Sequence, residues 1–180
     1  MKKYIIVLCL FSFSFAGRFG IGVAGGGEYA ADYEIASTQE IHDLFYGAEF
    51  RLQAEALPHV FLEPSLCYLN NPFFSSTAIG IGLGMTFQPR LGRFPIVPSV
   101  GIEGTLLLYN DADALASAQN GTLQEYLETS TPRMAGSGFA GLNIFLGQLL
   151  SLNCRYRYHS FAPNANAEMI WAGVSVYLNW

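Results

Sequence analysis

The chain has 180 residues, 51% of them hydrophobic, and a formal net charge of −5. Its only lysines are Lys2 and Lys3, so the rest of the chain is acidic and arginine-sparse, with no electrostatic footprint for nucleic acid. No segment after the N-terminal one is apolar throughout for the ~18 residues of a helical membrane span, and one domain accommodates the remaining length.

Residues 1–16 read as a secretory signal. Lys2 and Lys3 form the positive n-region, Tyr4 to Phe15 the apolar h-region, and Ser14-Phe15-Ala16 a small-x-small cleavage site before Gly17. The apolar run is shorter than the ~20 residues of a spanning helix. Cys9 lies within the h-region without small residues before it, which does not suit a lipoprotein anchor. Cleavage after Ala16 leaves one domain, 17–180, and moves the formal charge from −5 to −7.

The mature chain carries a period-two alternation in about eight segments, the signature of strands with two unlike faces. The first, 18–28, puts Phe19, Ile21 and Val23 on its apolar face. The second, 44–56, sets Tyr46, Ala48, Phe50, Leu52 and Ala54 against Glu49, Arg51, Gln53 and Glu55. The third, 59–69, sets Val60, Leu62, Leu66 and Tyr68 against His59, Glu63, Ser65 and Cys67. In the fourth, 77–88, Ile79, Ile81, Leu83, Met85 and Phe87 alternate with Ala78, Gly80, Gly82, Gly84, Thr86 and Gln88. The fifth, 95–109, offers Ile96, Val100, Ile102, Leu106 and Leu108 against Ser99, Gly101, Glu103 and Thr105. The sixth, 133–146, is less regular, with Leu142, Ile144 and Leu146 opposite Ser137, Gly141 and Asn143. The seventh, 149–159, places Leu150, Leu152, Cys154, Tyr156 and Tyr158 against Ser151, Asn153, Arg155, Arg157 and His159. The eighth, 168–180, carries Ile170, Ala172, Val174, Val176, Leu178 and Trp180 on one face. Cys67 and Cys154 fall on opposite faces, so no disulfide is expected between them.

Links alternate in length: long at 29–43, 70–76, 110–132 and 160–167, short around Leu57-Pro58, Pro89–Phe94 and Gly147-Gln148. Such alternation, an even strand number and segments above the ~9–11 residues of a tilted membrane strand predict an all-β fold. The expected form is an eight-stranded antiparallel up-and-down transmembrane β-barrel with both termini at the short-turn, periplasmic side. A soluble barrel would turn its apolar face inward, but the polar face here is too poor in charge, and too rich in glycine and alanine, for a water-facing surface. Aromatics gather near both ends of the strands, Tyr46, Tyr68, Tyr109, Tyr156 and Tyr158 toward the long links and Phe19, Phe87, Phe94 and Trp180 toward the short ones, as in interfacial girdles. Spacing of two within a strand also excludes a nucleotide loop at Gly80-x-Gly82-x-Gly84; the glycines are expected to leave lumen space for long side chains.

The signal, the alternating strands and the final Ile170-x-Ala172-x-Val174-x-Val176-x-Leu178-x-Trp180 resemble the small outer-membrane β-barrels typified by OmpA and OmpX. That resemblance implies an outer-membrane location in a Gram-negative cell envelope. It also implies recognition of the strand ending in Trp180 by the barrel-assembly machinery, and contact with outer-membrane lipids and lipopolysaccharide. No cofactor or metal is expected, and the chain is expected to be a monomer.

Glu49, Arg51, Glu55, Glu63, Glu103, Arg155 and Arg157 share the polar face and are expected to form a lumen ion-pair network, since buried charges must be paired. Eight strands enclose an interior that side chains fill. A second constellation, His159-Ser160 followed by Pro163-Asn164-Ala165-Asn166-Ala167-Glu168, is similar to the end of the lipid A 3-O-deacylase (PagL-like) barrels. By that resemblance Ser160 would be nucleophile, His159 base and Glu168 the orienting acid of an ester hydrolase. Adjacent strand residues face opposite ways, so the three are not expected to form a working triad. The acidic links, with Asp32, Glu34, Glu40, Asp43, Asp111, Asp113, Glu125 and Glu128, read as a solvated face, and 113–128 has weak helical character. The expected function is a non-catalytic, structural or surface-interacting outer-membrane barrel. The alternatives are a lipid A deacylase in the same fold and a soluble periplasmic ligand-binding barrel.

Overall fold

The computed structural model describes residues 17–33, 46–71, 76–89, 94–110, 133–162 and 165–178. They form β1 (Phe19–Tyr33), β2 (Tyr46–Leu57), β3 (Val60–Asn71), β4 (Ser76–Phe87), β5 (Ile96–Asn110), β6 (Arg133–Leu146), β7 (Leu150–Ala162) and β8 (Ala165–Leu178). Each strand pairs antiparallel with its chain neighbours, and β1 pairs with β8 to close the barrel. The expected helix over 113–128, most acidic link residues and Trp180 lie outside the described residues.

Alternation sorts the side chains as a membrane requires. Outward are Ile79, Ile81, Leu83, Met85, Val100 and Ile102, with Ile102 63% and Leu83 62% exposed. Inward are Glu49, Arg51, Glu63, Glu103, Arg155 and Arg157. A water-soluble barrel would have the opposite arrangement. Tyr46, Tyr68, Tyr156 and Tyr158 stand exposed toward the loop end, and Phe87 and Phe94 toward the short-turn end.

The interior is less polar than the sequence suggests. Leu69, Ala78, Leu107, Ala135, Ala167, Met169 and Trp171 cluster with Cys67 in the loop-end half of the lumen. Phe61, Val97, Phe139 and Tyr177 are buried as well. These residues have the parity of the polar face; reading that face by its polar members overlooks them. Glycines facing them supply room. A Cβ on Gly26 would run into the Trp171 ring, and one on Gly82 into the Glu103 carboxylate and the Ser65 hydroxyl.

Two expected loops are shorter than the composition implies. β1 continues beyond residue 28 to Tyr33, and within the segment 160–167 residues 160–162 and 165–167 are strand. Tyr33 pairs with Ala165 and Ala31 with Ala167, while Ser160 pairs with Asn166. Cross-strand hydrogen bonding with β1 outweighs the turn-like Ser, Pro and Asn content. The extension includes register shifts at Glu28/Ala30 and Ser160/Ala162. At the other end the turns are tight: His59 has φ +69° and Gly147 φ +82°. At Gly147 the absent Cβ makes that left-handed backbone easy; at His59 the strain is offset by a hydrogen bond from its N–H to the Glu55 carboxylate, 2.9 Å.

Two outcomes test this arrangement. Ile81→Arg, placing a charge on the outward face near mid-strand, should cost about 2–4 kcal/mol in reversible unfolding from lipid vesicles. Cys67 is buried and Cys154 exposed, and neither is in a disulfide. Cys154 faces lipid and Cys67 the packed lumen, so both should resist an aqueous maleimide in the folded barrel and react once the chain is unfolded, as read by peptide mass.

Candidate functional site

Seven charged side chains are buried among the described residues; Glu28 stands apart on β1, and the other six come from four strands and meet as an alternating chain. Starting at β5, Glu103 takes Arg157 at 3.1 Å. Arg157 also holds Glu49 at 2.8 Å, and Glu49 is hydrogen-bonded by Arg51 two residues along β2. Arg51 lies 3.8 Å from Glu63, a loose contact beside the bidentate grip of Arg155 on Glu63 at 2.6 and 2.9 Å. The order is thus Glu103, Arg157, Glu49, Arg51, Glu63, Arg155, with three charges of each sign. All six are at least nine-tenths buried. Removing so many charges from water is tolerable only with such mutual pairing.

Polar neighbours complete the carboxylates. Ser65 donates to Glu103 at 2.7 Å and Gln53 to Glu63 at 2.6 Å. Phe139 lies under both β7 arginines, 4.6 Å from the Arg155 guanidinium and 5.8 Å from that of Arg157, and Trp171 is 5.5 Å from the latter. Arginine is suited to this setting because its planar cation stacks on rings while its donors remain free for carboxylates. Sequence reasoning missed Gln53, Phe139 and Trp171 as network partners. Their parity was the available signal, since each has the face of the charged residues.

Glu55 is placed elsewhere. It sits at the short-turn end of β2, where its N–H donates to the Arg18 carbonyl at 2.9 Å and its carboxylate pairs with Arg18 Nε at 3.3 Å. Four residues along the strand from Arg51, it is out of reach of the inner chain.

The second constellation does not converge. His159 is buried, 5% exposed, pairing in register with Ser137 and Ala167. Ser160 is exposed on the outer face and pairs with Asn166. Glu168 shares that outer face, is half-buried and bonds the Tyr156 hydroxyl. The register shift in β7 comes after Ser160, so it leaves the His159/Ser160 alternation intact.

No family model and no curated protein matches this sequence. Solved structures do share its shape. The crystal structure of Neisserial surface protein A is 13% identical, with 88% of this chain and 96% of that one covered, at a TM-score of 0.64. The N-terminal β-barrel domain of OprF from Pseudomonas aeruginosa is 12% identical over 88% and 97%, TM-score 0.55. Ail, the attachment invasion locus protein of Yersinia pestis, is 10% identical over 90% and 99%, TM-score 0.54. The fold is therefore that of the small, OmpA/OmpX-like eight-stranded transmembrane barrels.

The alternating chain makes a graded prediction. Glu63→Ala strands Arg155 and weakens the setting of Arg51, and should cost about 3–5 kcal/mol in urea unfolding. Replacing Glu63 and Arg155 together by Met leaves Glu103, Arg157, Glu49 and Arg51, a charge-balanced remainder. That double variant should lose less than Glu63→Ala alone.

Proposed function

We propose that this chain is an exported outer-membrane barrel of a Gram-negative envelope, non-catalytic and monomeric, whose lumen is closed by its own side chains. The observation that carries this reading is the neutral chain of six buried charges crossing the lumen between β2, β3, β5 and β7. An open aqueous channel would hydrate those groups, whereas here each carboxylate spends its oxygens on neighbouring arginines, amides and hydroxyls. The outward apolar belt and its tyrosines suit lipid and lipopolysaccharide as the surroundings. Secretion through cleavage after Ala16, and assembly guided by the strand that ends in Trp180, belong to the same reading. The role left to such a protein is structural or surface-interacting, with contacts made at the loop end.

The ester-hydrolase alternative requires His159 to activate Ser160, and their side chains leave the strand on opposite faces. A base must come within about 2.6–3.2 Å of the hydroxyl it deprotonates, somewhat more in an unliganded site. The soluble-barrel alternative would expose Ile81, Leu83 and Ile102 to water.

Two measurements test the proposal. Purified protein in planar bilayers should give no large steady conductance. Lipid A from a host expressing the folded protein should keep all its ester-linked acyl chains by mass spectrometry. Loss of one chain, abolished by both Ser160→Ala and His159→Ala, would instead make it a deacylase.

A further inference from the structure

We propose that Glu55 is the docking site for the processed N-terminus, holding the Gly17 ammonium and Arg18 across the short-turn mouth of the barrel. This rests on cleavage after Ala16. Arg18 continues the β1–β2 ladder one step below the Phe19–Ala54 pair, and the Glu55 N–H donates to its carbonyl at 2.9 Å. The Glu55 carboxylate then takes the Arg18 N–H at 3.1 Å, Arg18 Nε at 3.3 Å and the His59 N–H at 2.9 Å. The Arg18 guanidinium lies 5.3 Å from the ring of Phe61, which is fully buried at the floor of the lumen. Both partners are largely sheltered, with side chains 12% and 14% exposed.

Gly17 fits against the backbone and Cβ of Glu55 because it has no side chain. A Cβ there would stand 2.6 Å from the Glu55 carbonyl oxygen and 2.8 Å from its Cβ. Backbone bond lengths keep consecutive nitrogens within roughly 4 Å of each other, and the Arg18 nitrogen is 3.1 Å from the carboxylate, so the Gly17 nitrogen lies within about 7 Å of it. In the precursor that nitrogen is a neutral amide. Cleavage makes it an ammonium beside an anion that already accepts three N–H donors, so processing adds a cation at the mouth. A carboxylate at this range favours the protonated amine.

The composition makes the test clean. With Lys2 and Lys3 removed no lysine remains, so the Gly17 amine is the only primary amine of the mature chain. The outer-membrane protein is purified folded and treated with a limiting N-hydroxysuccinimide ester near neutral pH. Peptide mass then gives the position and rate of acylation. One label on Gly17 is expected, forming several-fold more slowly than in Glu55→Gln. For the unmodified sequence the rate should rise at about 1 M salt, where the Debye length falls to about 3 Å; this arm stands even if Glu55→Gln fails to fold. Label on Met1, Lys2 or Lys3 would overturn the processing reading itself. Label on Gly17 alone, at a rate indifferent to salt and to Glu55→Gln, would overturn the docking proposal and leave processing intact.

Discussion

In hydrocarbon there is no water to take up an unpaired N–H or C=O, and every other feature of this molecule depends on that constraint. A sheet in lipid must close, and this one closes through fourteen successive partners from Phe19–Leu178 to Tyr33–Ala165. Closure fixes which side of each strand meets lipid. It thereby turns a two-residue sequence period into a physical separation of apolar exterior from charged interior. Pro64 interrupts the ladder locally: β2 and β3 pair at Arg51–Ser65 and again at Ala54–Leu62, with Glu63 and Pro64, the latter lacking an N–H, unpaired on that side.

Closure also creates the electrostatic problem that the lumen charges answer. The enclosed space is narrow, walled by low-dielectric sheet, and among the described residues it buries three arginines and four glutamates from five strands, six of them in the alternating chain and Glu28 apart from it on β1. An ion buried there unpaired would cost several kcal/mol. The alternating order lets each interior member of the chain touch two opposite charges, and the terminal Glu103 is completed by Ser65. Glycines make the geometry attainable: Gly82 leaves the space that Glu103 and Ser65 use, and Gly141 the space beside the Arg155 stem. On β5 and β6, Gly104, Gly136 and Gly138 face outward into open space instead; nothing in the structure explains them.

Strand number, order and facing were legible because they rest on period and on link length, both local properties. The partners within the lumen were not, because they depend on register. Glu55 has the parity of Glu49 and Arg51, yet it bonds and ion-pairs with Arg18, which no local pattern reveals. Trp171, Met169, Leu107 and Phe139 were hidden for a different reason. They are apolar residues on a face otherwise identified by polarity, and only a settled parity puts them inside. The β7–β8 hairpin was obscured by composition: Pro163 and its neighbouring Asn residues look like a loop, while pairing with β1 keeps most of the segment in strand.

Methyl groups offer the most direct test of the inside–outside assignment, since leucine, isoleucine and valine occur on both faces. In lipid nanodiscs, nuclear Overhauser contacts from acyl-chain methylenes should reach Ile79, Ile81, Leu83, Val100 and Ile102. They should be absent at Leu69, Val97 and Leu107, which are at most 4% exposed and lie among lumen side chains. Acyl-chain contacts at Leu107 or Leu69, or water contacts at Ile81 and Ile102 in their place, would contradict a barrel with its apolar belt in lipid and its charges inside.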